Sequence, residues 1–175
     1  MDKQTIKNKL YESHHSFIDY LNSLSVESFL QNKHEKWSPA QQLQHIYLGI
    51  RPVRQILSLP NFFIQLFWGK ANRDSKSYDQ LVTKYLLKLE NGGRATGRFI
   101  PKTISFELAQ QRKKQVLQEL EKLSNGIDKL TEDKLDQCVL PHPLLGRLTI
   151  REMLYFLIYH VKHHEQLTKR NLVED

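Results

Sequence analysis

Eight histidines stand in the chain, and three of them lie close together near its end. They form the sequence His160-Val-Lys-His163-His164, within a segment of helical periodicity. On such a helix, His160 and His164 lie one turn apart, about 6 Å from each other, on the apolar stripe. His163 falls at the edge of that stripe. The spacing therefore predicts two inward-facing imidazoles that can bind one metal ion together.

Two imidazoles buried side by side need a physical reason. Each loses its hydration shell, and two protonated rings would repel each other. A shared cation removes both penalties, because neutral imidazole is a good ligand for zinc or nickel. The simpler alternative is a pair of hydrogen-bonded core histidines, since two histidines four residues apart also arise by chance. A third ligand must come from another helix, and His45 and His14 are the two candidates.

Apolar residues recur at helical spacing in four segments, which predict the elements that hold these histidines. The segments are residues 6–24, 38–57, 106–127 and 149–170. The second begins with Ser38-Pro39, the N-cap and first-turn residues typical of a helix start. The fourth begins at Thr149, which with Glu152 predicts a capping box. Four amphipathic helices of this length predict an all-α fold, a four-helix bundle, in a single domain spanning residues 1–175.

A long crossover, residues 60–103, joins the second and third predicted helices. The aromatic segment Phe62–Trp68 predicts a short helix on the bundle, and residues 71–85 predict another. A membrane-surface role for the aromatic segment is the weaker alternative, because few lysines flank it. The clearest loop is residues 91–101. Its Arg94 and Arg98 could bind a substrate carboxylate, whose geometry guanidinium matches, although a solvated loop is the simpler interpretation.

Composition narrows the class of partner. The chain has 26 basic and 19 acidic residues, a formal charge of +7, but the basic residues are spread along it without a nucleic-acid-binding motif. The single cysteine, Cys138, excludes an intramolecular disulfide and is expected to be a small buried apolar side chain. No signal-peptide pattern opens the chain, and the longest apolar run, Met153–Tyr159, is too short to span a membrane. We therefore expect a cytoplasmic protein with neither a nucleic-acid nor a membrane partner.

Two stretches of the chain carry a resemblance to a known family. The first begins Trp37-Ser-Pro and reaches His45 eight residues after the tryptophan. The second runs from His142 through Gly-Arg-Leu-Thr to a terminal His160-Val-Lys-His163-His164-Glu-Gln-Leu. Together they resemble the DinB-like superfamily, which also holds enzymes of the bacillithiol S-transferase type and thiol-dependent isomerases.

The resemblance implies a four-helix bundle with a three-histidine metal site. Its ligands would be His45, His160 and His164, which favours His45 over His14. A divalent metal there, zinc or nickel, would activate a water molecule or a low-molecular-weight thiol. The implied function is a metal-dependent thiol S-transferase or hydrolase acting on a small-molecule substrate. His163 at the rim could orient that substrate or shuttle a proton; a solvent-exposed histidine is the simpler interpretation.

Two other functions stay open from the sequence. A non-catalytic metal-binding or sensing module would close the fourth metal position with His14 or a carboxylate. A helical interaction protein would keep the histidines as core residues without a metal. A homodimer formed through helix faces is compatible with the enzyme and with the sensing module. The long crossover departs from the family pattern or elaborates it, so substrate specificity does not follow from the resemblance.

Overall fold

The computed structural model describes residues 1–32 and 36–173, and most of them are helical. In chain order the helices are α1 (Lys3–Asn22), α2 (Val26–Leu30), α3 (Pro39–Leu57), α4 (Asn61–Trp68), α5 (Tyr78–Glu90), α6 (Phe106–Asp128), α7 (Glu132–Gln137) and α8 (Ile150–Val173). Helices α1 and α3 each pack against both α6 and α8, so α1 and α3 lie at opposite corners of a four-helix bundle. The predicted all-α bundle is confirmed.

Capping boxes set the beginnings of the two helices that carry the candidate ligands. The Ser38 hydroxyl accepts from the Gln41 amide (3.2 Å), and the Gln41 side-chain oxygen accepts from the Ser38 amide (3.0 Å). Thr149 and Glu152 exchange the same two bonds at the start of α8, at 3.2 and 2.9 Å. These bonds satisfy amides that have no partner within the helix. Helix α3 continues through Pro52, although proline has no backbone N–H to donate within the helix.

The crossover contains two helices joined by irregular segments. The aromatic segment forms α4, as predicted, and a short 3-10 turn, Gly97–Phe99, precedes α6. The second predicted helix, residues 71–85, is displaced along the chain. Helix α5 begins at Tyr78 because Ser77 and Gln80 form another capping box, and it continues to Glu90. Helix α5 packs against α8, which brings the crossover to the ligand-bearing helix.

A small antiparallel hairpin lies between α7 and α8, and the sequence did not predict it. Its strands are β1 (Val139–His142) and β2 (Gly146–Thr149), with Leu140 opposite Leu148. Pro141 and the shortness of both strands hide the alternation that normally identifies a strand. The hairpin packs against α4 and α8.

Apolar side chains of the four bundle helices, of α4, α5 and α7 and of the hairpin form one core cluster. Other apolar side chains of the four bundle helices, together with α2, form a second. Cys138 is completely buried in the first cluster, which confirms it as a small core side chain. Within the part of the chain that the structure describes, no helix is both long and apolar enough to cross a membrane.

Candidate metal centre

Three histidine side chains from two helices meet inside the bundle. Helix α3 supplies His45, and α8 supplies His160 and His164 from adjacent turns. One ring nitrogen from each lies within 4.8 Å of the others, and the Nε2 atoms of His45 and His160 are 3.0 Å apart. Two bonds of about 2.1 Å to one metal keep their nitrogens within about 4.2 Å of each other. The His45–His160 pair meets this limit, and the 4.8 Å bound on the whole group exceeds it by only about 0.6 Å, so a small shift of one ring lets all three bind one ion. The predicted trio therefore converges.

Hydrogen bonds fix the tautomers of two of the three rings. Nδ1 of His45 lies 2.7 Å from the backbone carbonyl oxygen of Phe99, and Nδ1 of His164 lies 2.5 Å from the side-chain oxygen of Gln42. A carbonyl oxygen only accepts, so each Nδ1 carries the proton and each Nε2 presents a lone pair to the centre. Metal-ligating histidines are held by the same kind of outer bond. The donor set thus fits a divalent metal.

Aromatic side chains hold the third ring and enclose the site. His160 stacks on Phe156, with ring centroids 4.6 Å apart and planes inclined by 26°. The ring of Tyr85, from α5, meets His160 edge-on at 6.4 Å. On the other side, Trp37 lies 5.0 Å from His45. The three imidazoles consequently lie in an apolar setting that limits contact with water.

The same burial keeps the rings neutral. Burial lowers the pKa of His45. Burial, with the neighbouring histidines, holds the pKa values of His160 and His164 well below 6.5. Neutral imidazole is the form that ligates a metal, so near pH 7 no proton has to leave before an ion binds.

A family model described as the DinB superfamily matches residues 9–167, a span that includes all three histidines. The chain belongs to the DinB superfamily. Comparisons with curated proteins and with solved structures gave no match. The rings that converge are the three that the resemblance implied, and helical spacing alone predicted the pair on α8.

In this DinB-superfamily chain, His163 lies at the rim, as the sequence predicts. Its side chain is half-buried, with its ring 5.8 Å from that of Tyr85 and 5.3 Å from that of His164. Burial, followed by the charge of Arg170, lowers the pKa of His163. His163 is outside the three-histidine group but adjoins it.

Arg94 and Arg98 lie in different surroundings. The Arg94 guanidinium donates to the backbone carbonyl of Gly93 at 2.8 Å, so it is turned back toward the end of α5. The Arg98 guanidinium lies over the ring of Phe99, 5.1 Å from its centroid. Because the Phe99 carbonyl bonds to His45, Arg98 is next to a residue that contacts the centre. Both side chains are exposed.

His14, the rival third ligand, is not part of the group. It is buried in α1, and its Nδ1 lies 2.8 Å from the backbone carbonyl oxygen of Leu10 in the same helix. Burial lowers the pKa of His14 to about 4. It is therefore a hydrogen-bonded core histidine and not a ligand of the group.

The sequence did not reveal the residues that orient the rings. Gln42 offered a signal, since it precedes His45 by three residues and so lies near the same side of α3. Phe156 precedes His160 by four residues on α8 and offered the same signal. Phe99 and Tyr85 offered none, because only the folded crossover brings them to the bundle.

Proposed function

We propose that the chain is a metal-dependent enzyme, a thiol S-transferase or a hydrolase, in which His45, His160 and His164 hold one divalent metal. The observation that carries the proposal is the fixed direction of two Nε2 lone pairs, set by the carbonyl oxygens of Phe99 and Gln42. Three protein ligands are characteristic of catalytic sites, in which water or substrate takes a further position.

Zinc or nickel held by these histidines would lower the pKa of a water molecule or a low-molecular-weight thiol and so supply a nucleophile near neutral pH. Tyr85, Phe156 and Trp37 exclude bulk water from the rings, which strengthens electrostatic interactions at the site. The resemblance to bacillithiol S-transferase-like enzymes favours S-transfer over hydrolysis.

Residues at the rim would then bind the small-molecule substrate and move its proton. His163 adjoins the three rings and is half-buried, so its imidazole can accept a proton from a substrate and release it to solvent. Arg98 is placed to bind a carboxylate of the substrate beside the Phe99 carbonyl. Arg94, turned toward the end of α5, would contribute to anion binding less directly.

The first test is the metal content of the purified full chain, measured by inductively coupled plasma mass spectrometry. We expect one zinc or nickel per chain in the wild type and none in His160→Ala. His163→Ala is the matched control on the same helix and should keep its metal. Circular dichroism checks that each variant is folded. A folded wild type that binds neither zinc nor nickel would overturn the metal centre and favour a helical interaction protein.

The second test is turnover. The apo, zinc-loaded and nickel-loaded forms are given a panel of low-molecular-weight thiols with an electrophilic acceptor, and loss of free thiol is followed; ester and amide hydrolysis are assayed in parallel. We expect metal-dependent turnover that His160→Ala abolishes. A protein that binds metal but shows no turnover in either assay would instead be a metal-binding or sensing module.

A further inference from the structure

Helix α4 exposes an aromatic face that the metal centre does not use. Its residues are Phe62, Phe63, Leu66 and Phe67, with exposed fractions of 69%, 40%, 63% and 65%. The rings of Phe63 and Phe67 stack on each other, 6.1 Å apart. Only the inward side of the helix is anchored, through the completely buried Ile64. Contiguous apolar surface of this kind marks an interaction site rather than ordinary scattered exposure.

The chain segments that form the aromatic face and pack against it contain no acidic residues. From Lys36 to Arg73 the sequence contains no Asp or Glu, and the hairpin from Val139 to Thr149 contains none. These segments include α3 and β1, the elements against which α4 packs. Exposed basic side chains adjoin its C-terminal end: Lys70 follows the helix, and Arg147 donates to the backbone carbonyl of Trp68. The aromatic face and its basic neighbours therefore complement a partner with negative charge at its surface and an apolar layer below that charge.

The fold supplies a basic neighbour that the linear sequence hides. Few lysines flank the aromatic segment along the chain, but the hairpin brings Arg147 to it across 79 residues. Apolar side chains with basic neighbours are the combination by which a helix binds flat at the surface of an anionic bilayer.

The size of the face argues against a second copy as its occupant. A helix of eight residues is about 12 Å long. Its one exposed side is far smaller than the roughly 800 Å² that each partner contributes to a stable protein interface. Insertion into lipid needs no matching surface and is driven by a few buried apolar side chains.

We infer that the aromatic face of α4 inserts into the headgroup region of an anionic lipid bilayer and holds the chain at the membrane surface without spanning it. The test is co-sedimentation of the full chain with extruded vesicles. One set contains phosphatidylglycerol and phosphatidylcholine, and the other contains phosphatidylcholine alone. We expect binding to the anionic set, weaker binding to the neutral set, and a decrease in binding to the anionic set as salt is raised.

Two pairs of variants separate the apolar and the charged contributions. Phe62→Ser/Phe67→Ser should weaken vesicle binding at least about tenfold, whereas Val26→Ser/Leu87→Ser, which removes two exposed apolar side chains elsewhere, should not. The charge variant Lys70→Gln/Arg147→Gln should weaken binding to anionic vesicles. Its control, Lys122→Gln/Lys129→Gln, removes the same charge from α6 and its C-terminal end and should have little effect.

Three results would overturn the inference. The first is a failure of the wild type to bind anionic vesicles at low salt, or equal binding by the wild type and Phe62→Ser/Phe67→Ser. The second is a wild-type dimer in light scattering that Phe62→Ser/Phe67→Ser converts to monomer, which would assign the face to a second copy. The third is binding to a single-stranded oligonucleotide that the same variant abolishes, without vesicle binding. Metal content is measured in parallel and should not change in any of these variants.

Discussion

His45 and Phe99 are joined by a hydrogen bond of 2.7 Å from the ring Nδ1 to the backbone carbonyl oxygen, across 54 residues of sequence. The bond ties the crossover to the bundle at the metal centre itself. It also makes the tautomer of His45 depend on the 3-10 turn Gly97–Phe99, which sets the direction of that carbonyl. The crossover is thus part of the site, and a change in its backbone should alter metal binding.

Gly97→Val tests this dependence. Gly97 has a φ of +53°, in the left-handed region that β-branched residues avoid, so valine should shift the turn and the Phe99 carbonyl. We expect about a tenfold loss of metal affinity, the scale on which outer hydrogen bonds to metal-ligating histidines act. The measurement is a competition titration with a chromophoric chelator.

The control for that variant is Gly92→Val. Gly92 also has a positive φ, +84°, and a Cβ there meets nothing within 4 Å, as at Gly97. Both variants should lower the free energy of unfolding, but Gly92→Val should leave metal affinity unchanged because Gly92 follows the end of α5 and lies outside the 3-10 turn that carries the Phe99 carbonyl. Equal losses of affinity in the two variants would contradict the role given to Phe99.

Gln42 should matter for metal binding through the oxygen that it presents to His164. Gln42→Leu removes the acceptor from a buried ring N–H, and we expect metal affinity to fall about ten- to a hundredfold. Gln42→Glu keeps an acceptor of the same shape and should retain affinity close to that of the wild type. Both are measured by the same chelator competition. If the two substitutions weaken binding equally, packing around Gln42 rather than its hydrogen bond is responsible.

The acid stability of the fold should depend on Glu152. This carboxylate is completely buried, and Arg73 donates to both of its oxygens at 2.6 and 2.8 Å. Burial acts to raise its pKa, but the bonds from Arg73 and from the amides of Lys76 and Thr149 prevail and lower the pKa of Glu152 to about 2 from 4.5. Because the pKa is lower in the folded state, the stabilisation is complete above pH 4.5 and is lost as the pH falls toward 2.

Glu152→Gln should therefore lower the free energy of unfolding at pH 7 by about 3 kcal/mol, and the difference from wild type should narrow below about pH 4. Urea unfolding at a series of pH values measures both quantities. Glu121→Gln, at an exposed position of α6, is the control and should change little at any pH. A deficit in Glu152→Gln that is the same at pH 7 and pH 3 would indicate lost packing rather than a lost charge.

Local spacing predicted the part of the site that lies on one helix. His160 and His164 lie on the same side of α8 because residues four apart share a side of a helix. This relationship does not depend on which helices α8 packs against. The choice between His45 and His14 depended instead on which helices are neighbours. Helical periodicity could not decide between His45 and His14, because each residue lies on an apolar stripe of its own helix. The family resemblance favoured His45, and the structure brings His45 into the group.

Contacts that depend on chain topology were beyond the sequence. The carbonyl of Phe99 belongs to the backbone, which every residue has, so the residue type at that position does not indicate the bond to His45. The boundary of α5 is a different case, since Ser77 and Gln80 have the residue types and the spacing of a capping box and so indicate the start of the helix in the sequence itself.

Arg98 and Arg94 provide a matched comparison of substrate binding, since both are exposed arginines in the same loop of the crossover. Arg98 stacks over Phe99, whose carbonyl contacts His45, whereas Arg94 donates to the backbone of Gly93. If the substrate is a thiol that bears a carboxylate, Arg98→Ala should raise its KM about tenfold, the value of a charged hydrogen bond. Arg94→Ala should raise KM by no more than about twofold, because the Arg94 guanidinium is exposed and bonded to the backbone at the end of α5.

A thiol without a carboxylate separates charge recognition from a change in the loop. For such a thiol, Arg98→Ala should leave KM unchanged, since no anion is present for the guanidinium to bind. Metal content should equal that of the wild type in both variants, because neither side chain belongs to the three-histidine group. An equal rise in KM for charged and neutral thiols would mean that Arg98 supports the turn beneath it, through its contact with the Phe99 ring, and does not contact the substrate.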